Sequence, residues 1–305
     1  MTTPPRPRPF GLSPVIHAGR ACWLLAVQQG TALVAQHGGQ VLSWLPTGGK
    51  EVLWLSPKAL PPPAATRGGV PICWPWFGRQ GMPEGAMQHG PVRNRPWQPV
   101  GAPAVTDTRI ALELEPQAAS GTDDPLHRFA PGLALRLRIT LDDALTLELH
   151  THNQGSAPFV LTQALHTYLA VEDVRAIAIP ELAHRPFLDK LRDHADPYPP
   201  AAWRYDGPCD RIYLQGVGRD THHRYTLQDP LTPRQTVLQT IGSASVVLWN
   251  PGPAGAQALA DVPDGAWQQF VCLETSNAAS DTVELAPGAS HCLQQRLAVR
   301  SLLTP

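Results

Sequence analysis

Nowhere in this chain do apolar residues recur with a helical period over three full turns. The recurring unit is a short run, apolar or alternating, closed at each end by proline or glycine. Among 305 residues stand 34 prolines and 25 glycines. Each proline removes a backbone donor and fixes φ, so long helices are barred almost everywhere and proline-free runs must carry the structure. Arg109 to Glu115 (RIALELE), Ala134 to Leu141 (ALRLRITL) and Leu145 to Asn153 (LTLELHTHN) alternate at period two, the mark of strands with one wet face. Before them, Ala21 to Val27, Ala32 to Ala35, Gln40 to Leu45 and Glu51 to Leu55 are parted by turns such as His37-Gly38-Gly39 and Thr47-Gly48-Gly49, as antiparallel hairpins require.

Further strands are expected at Phe159 to Tyr168, Val174 to Ile179, Arg211 to Leu214, His223 to Gln228 and Thr236 to Gln239. Ser245 to Trp249, Gln269 to Glu274, Asp281 to Leu285 and Ser290 to Val299 complete the set. So many short strands imply an all-β fold, a large antiparallel β-sandwich; no fixed-period repeat points to a propeller. No linker divides the chain, so residues 10–305 are expected to form one domain. Residues 1–9 alternate proline with arginine and are expected to be a disordered arm.

The formal charge of -1 supplies no basic field for nucleic acid or an anionic membrane. Five cysteines, an odd number without CxxC spacing, argue against a disulfide scaffold or zinc knuckle and read as reduced thiols. No apolar run is long enough to cross a bilayer and no signal-peptide core is present, so a soluble cytoplasmic protein is expected. GxSxG, GxGxxG, P-loop and HExxH motifs are all missing from the sequence, and with them the mechanical basis of lipase, dinucleotide, nucleotide-triphosphate and zincin chemistry.

Four stretches carry polar groups that a purely structural strand does not need. The first is Ala65 to Trp97, a proline- and glycine-broken wall holding Arg67, Gln88, His89 and Arg93 among tryptophan and phenylalanine rings. Rings cover the C–H faces of a sugar and the polar groups read its oxygens, although an aromatic plug closing a sandwich has the same composition. In the second, Thr162 to Tyr168, period two puts His166 on one face with Thr162, Ala164 and Tyr168, either as a satisfied core histidine or as a catalyst. Third, Asp206 to Tyr213 is a turn feeding a strand, with Asp210 beside Arg211; a surface ion pair reads the same way. Fourth, Phe270 to Asn277 ends an apolar run at Glu274, an edge residue in water or a buried functional acid. Separately, His150 and His152 share a strand face and could bind a metal, but the sequence identifies no third ligand and a solvated strand end is the favoured reading.

Taken in order, RGGVPICWPWFG, QHGPVR, LHTYL, DRIY, WNP and FVCLE resemble the hexose-6-phosphate mutarotases, the glucose-6-phosphate 1-epimerase branch of the aldose 1-epimerase family, from about Phe10 to Val299. The resemblance implies a galactose mutarotase-like supersandwich with an open cleft on the concave face of a large sheet. It implies His166 and Glu274 as catalytic residues, Arg67, Gln88, Arg93 and Asp210 as substrate-binding, and His89 as lining the site. Departures are His89-Gly90-Pro91-Val92-Arg93 where the family often has HGFAR, Thr275-Ser276-Asn277 where a Pro-Gly turn often follows the acid, and Gly252 where tryptophan commonly follows WNP.

Anomer exchange fits these residues. A base removes the C1 hydroxyl proton while an acid protonates the ring oxygen; rotation about C1–C2 and the reverse transfers give the other anomer, with no cofactor and no metal. Glu274 is expected to be the ionised base and His166 the acid, its proton supported by Asp210 or Glu274. Arg67 and Arg93 are expected to fork the phosphate. The partner is then a small hexose phosphate, and the chain is expected to act as a monomer. An epimerase of free aldoses and a non-catalytic carbohydrate-binding protein are the alternatives.

Overall fold

The computed structural model of the chain describes residues 10–118, 124–197, 202–214, 218, 222–232 and 234–301; the expected arm at 1–9 lies outside them. Every strand pair is antiparallel. The central strand Leu145–Asn153 is bonded along its length to Leu133–Leu141 on one side and Ser290–Ser301 on the other. These three lie in a ten-stranded sheet that also holds Ile110–Pro116, His223–Asp229 and Arg234–Ile241. Leu145, Leu147 and Leu149 are fully buried while Glu148 and His150 reach the other side, as the period-two pattern requires.

A second, eight-stranded sheet has Cys209–Leu214, Ser245–Asn250, Phe270–Asn277, Gln163–Leu165 and Ile72–Cys73 in that spatial order. One face of it gives Leu165, Tyr213, Val246, Leu248, Val271 and Leu273 to the same core cluster as Leu137, Ile139, Leu147, Leu149, Leu293 and Leu297 of the first sheet. The two sheets therefore share one apolar interior, the sandwich expected from the strand count. A polar tie crosses it: Gln295 Oε1 accepts from Thr167 Oγ1 at 2.8 Å and from Thr275 Oγ1 at 3.3 Å. The hairpins near the amino terminus form a separate four-stranded sheet, Gly11–His17, Arg20–Val27, Gly30–Ala35 and Val41–Pro46.

Three expectations are corrected. Glu51 to Leu55 is no strand but makes isolated bridges at Leu53 and Leu55. Phe159 to Tyr168 is broken into Phe159–Leu161, Gln163–Leu165 and Tyr168–Ala170, because its middle pairs with the irregular wall. Val174 to Ile179 shortens to Ala178–Ile179. Among the described residues the two α-helices are five and six residues long, and no helix is long and apolar enough to cross a membrane.

Candidate active site

The far face of the eight-stranded sheet carries the other half of each alternating strand. In Phe270–Asn277 the residues between Val271 and Leu273 and beyond are Cys272 and Glu274; across the ladder Val247 stands opposite Glu274 and Trp249 opposite Cys272. Asp210 is in turn opposite Trp249. Period two thus delivers Asp210, Val247, Trp249 and Glu274 to one concave surface.

The wall closes that surface by pairing its backbone with the broken strand. The amides of Tyr168, His166 and Thr162 donate to the carbonyls of Gly69, Pro71 and Pro75 at 2.9, 2.9 and 3.2 Å. Two glycines make the approach possible. At Gly69 (φ +62) a Cβ would strike the carbonyl of Val41, and at Gly90 (φ +76) that of Trp74, so both need the left-handed region and the missing side chain. The amide of Trp74 donates to His89 O and that of His89 to Gly78 O, which pins the His89 loop over the sheet.

Between wall and sheet lies a hollow of about 390 Å³. Its heart is an imidazole facing a carboxylate: His166 Nε2 is 3.4 Å from Glu274 Oε1, with side-chain exposures of 10% and 1%. Tyr168 stacks on the His166 ring at 5.0 Å and 12°, fixing its plane. Glu274 Oε2 is buried with no protein partner, an acceptor that only a ligand or solvent can satisfy.

Phe77 and Trp249 supply apolar wall, Asp210 a second carboxylate, and His89 and Gln88 neutral polar groups. His89 Nδ1 accepts from the Gly78 amide at 3.2 Å, which leaves Nε2 to carry the ring proton as a donor. Burial, then the charges of Arg93, Lys190 and Arg67, push His89 down to about 3, so it is neutral at working pH.

Three cations reach the lining: Arg67, Arg79 and Lys190. Arg67 is braced, Nε to Asp261 Oδ2 and Nη1 to Tyr168 Oη, both at 3.1 Å, so Nη2 remains for a ligand. Lys190 Nζ sits 2.8 and 3.0 Å from the Asp210 oxygens. Arg79 meets Gln88 at the mouth, the amide oxygen accepting from Nε and Nη2 in the orientation that satisfies both side chains. Arg93, in the short 3-10 turn Val92–Asn94, is not on the lining. It stands close enough for its charge to act on His89, His166 and Glu274, and its Nε is buried without a partner.

Sequence reasoning missed Arg79, Lys190, Trp249 and Asp261. Arg79 sits inside the wall itself, directly after Phe77-Gly78, and its position was signal enough. Lys190 and Asp261 lie in stretches that carry no such mark, and only the fold brings them here.

Ionisation differs from the expectation. Burial, then the charges of His89, Arg93 and Arg67, hold His166 well below the usual imidazole range. Burial and the Asp210 charge hold Glu274 well above the usual carboxylate range, against the pull of Lys190 and Arg93. Both shifts favour the uncharged pair, with one proton on Glu274 shared toward His166 Nε2. That pair has the same number of protons as the expected ionised Glu274 with protonated His166. Only the proton's resting place changes.

The donor set His166, Cys272 and Glu274 lies within 4.8 Å. Burial holds the Cys272 thiol well above its usual range, as does the Glu274 charge, so a metal would have to displace its proton and take both groups of the pair.

The sequence matches the aldose 1-epimerase family model over residues 22–298. It is 34% identical over 250 residues to a protein of Salmonella typhimurium provisionally named glucose-6-phosphate 1-epimerase, covering 80% of this chain and 79% of that one. The crystal structure of a provisionally assigned mutarotase from Salmonella typhimurium superposes with a TM-score of 0.82 at 28% identity, covering 95% of this chain and 97% of that one. A galactose mutarotase-like protein from Clostridium acetobutylicum shares the fold at TM-score 0.73 and 14% identity, over 96% of this chain and 99% of that one. With the strand pattern, the concave hollow and these matches all in agreement, the chain belongs to the aldose 1-epimerase family.

Proposed function

We propose that this protein interconverts the α and β anomers of a hexose 6-phosphate, glucose 6-phosphate foremost, by acid/base ring opening and closure in the hollow between wall and sheet. The observation that carries the reading is the buried His166–Glu274 contact at 3.4 Å, with an unpartnered carboxylate oxygen beside it. The relatives' names supply the substrate class.

Seated between the two groups, the sugar gives its C1 hydroxyl proton to one while the other protonates the ring oxygen. The C1–O5 bond breaks, C1 becomes an aldehyde, and rotation about C1–C2 presents its other face. O5 then attacks C1, returns its proton and O1 regains one, so the pair ends with the single proton it began with. A one-proton pair suffices in either tautomer, and each transfer contributes about 10²- to 10⁴-fold. Glu274 is placed at O1 and His166 at O5, and the base role on O1 falls to Glu274 when the pair's proton rests on His166. His89 Nε2–H, Gln88 and Asp210 read the remaining hydroxyls, while Phe77 and Trp249 cover C–H faces.

The phosphate is received by the cationic lining. Arg67, held flat by Asp261 and Tyr168, is the preorganised fork; Arg79 and Lys190 add charge nearer the mouth, and Arg93 contributes its field from behind. An epimerase of free aldoses has no use for these groups. The free thiols suit the reducing cytoplasm.

A coupled assay of anomer exchange tests the reading. The wild type is expected to accelerate exchange of glucose 6-phosphate far beyond buffer and to handle free glucose at least tenfold less efficiently. A rate equal to buffer leaves a binding protein; equal efficiency on both sugars leaves the free-aldose reading.

A further inference from the structure

On the outer side of the ten-stranded sheet, remote in sequence and role from the hollow, the histidine that lacked a third ligand acquires two. We infer that Glu148, His150 and Cys292 form a surface site for a borderline transition-metal ion of the zinc class, with its fourth position open to water.

The geometry is set by two neighbouring strands. His150 on Leu145–Asn153 is the direct register partner of Cys292 on Ser290–Ser301. Their side chains meet, His150 Nε2 lying 3.9 Å from Cys292 Sγ. Zinc bonds of 2.0 to 2.1 Å to nitrogen and about 2.3 Å to sulfur, at a tetrahedral angle, separate the two ligand atoms by about 3.6 Å. Closure therefore needs only a slight rotation of either side chain. Glu148, two residues before His150, shares its face, and the three ligand atoms all lie within 4.8 Å of one another. The strand Leu145–Asn153 is bonded on both edges, so the site rests on backbone held from both sides.

The residue types fit better than a plain solvated face. Cysteine is among the most buried residue types, and Cys22, Cys73, Cys209 and Cys272 obey; Cys292 alone is only part-buried, and it stands against an imidazole. The neighbouring charges leave room. Arg138, across from Glu148, is 4.0 Å from its Oε2, and Arg136, across from His150, turns to Glu113 and Glu115 instead. His152, the other imidazole on this face, is tied to Ser290 Oγ at 2.9 Å. Binding displaces the thiol proton to solvent, and thiolate plus carboxylate balance the ion's two charges. The ion serves no step of anomer exchange; it clips two central strands together.

Titrating the full chain with Co²⁺ alone, under a non-thiol reductant, reads the site directly. One equivalent is expected to produce a near-ultraviolet thiolate-to-cobalt charge-transfer band that Zn²⁺ displaces. Cys292→Ser is expected to abolish it, and His150→Ala and Glu148→Gln to weaken cobalt affinity at least tenfold. Unloaded Cys292→Ser should keep the wild-type melting temperature and anomer-exchange rate, separating a lost ligand from a lost fold. No band in the wild type overturns the proposal. So does a band that survives Cys292→Ser, and one lost in Cys272→Ser instead places the ion on His166, Cys272 and Glu274.

Discussion

The hollow is built from two kinds of backbone. Its floor is strand, and there the ladder decides: Glu274 faces the hollow because Val271 and Leu273 face the core, and Asp210, Val247 and Trp249 follow by register. Its roof is loop, and there each side chain is placed by its own bonds: Arg67 by Asp261 and Tyr168, His89 by the Gly78 amide, Arg79 by Gln88. In the proposed reaction Glu274 stands on the floor's ladder, His166 stands in the break between Gln163–Leu165 and Tyr168–Ala170 where its amide donates to Pro71 O of the wall, and recognition falls to the roof. The carboxylate is thus fixed by the part of the fold that cannot slip by less than a whole register.

The largest expected effects fall on the His166–Glu274 pair and strike every substrate alike. Glu274→Gln keeps the shape and removes the exchangeable proton; His166→Asn does the same on the other side. Each is expected to cut kcat/KM about 10²- to 10⁴-fold for glucose 6-phosphate and free glucose equally, measured in the coupled assay with folding checked by circular dichroism. A variant that loses activity on the phosphate alone would break the division between the pair and the roof.

On the roof the effect should be selective. Arg67→Ala removes the braced fork and is expected to raise KM for glucose 6-phosphate at least tenfold, with kcat and the free-sugar rate little changed, since a bond to a charged group contributes roughly 1.5 to 3 kcal/mol. Arg79→Ala, exposed at the mouth, should raise the same KM only a few-fold. Asp261→Asn loosens Arg67 without removing it and should fall between the two. If Arg93→Ala, off the lining, outweighs Arg67→Ala, the order of these cations is wrong.

The same contrast governs what could be read in advance. Leu145–Asn153 has the boundaries its alternation predicts, because each of its side chains has one of two destinations. Gly11–His17 escaped notice since Pro14 breaks its pattern, and it survives as a strand because it lies at the edge of its sheet, where a missing donor faces no partner. The pair proposed as catalytic was visible only through a family resemblance, for nothing local in LHTYL or FVCLE distinguishes a buried catalyst from core. The brace of Arg67 was invisible, as Asp261 is 194 positions away. Nor could any pattern foretell that Glu274 is held above the usual carboxylate range, which follows from its burial and from Asp210 across the floor.

The smallest effects test the Lys190–Asp210 pair, in which the lysine of the turn after Phe187–Asp189 meets the carboxylate on the floor of the same sheet. Exchange should follow a bell-shaped pH profile whose limbs belong to the His166–Glu274 pair as a unit: below the acid limb it gains a second proton and has no base, above the alkaline limb it loses its last and has no acid. Asp210 raises the Glu274 pKa and Lys190 lowers it. Asp210→Asn should therefore let the last proton leave more easily and move the alkaline limb of kcat/KM to lower pH. Lys190→Met should leave Asp210 uncompensated, hold that proton more tightly and move the limb to higher pH. Recognition changes alone scale the curve without sliding it, so opposite displacements mean that Lys190 reaches the chemistry through the Asp210 carboxylate. Displacements in the same direction, or none, mean that the two side chains act independently.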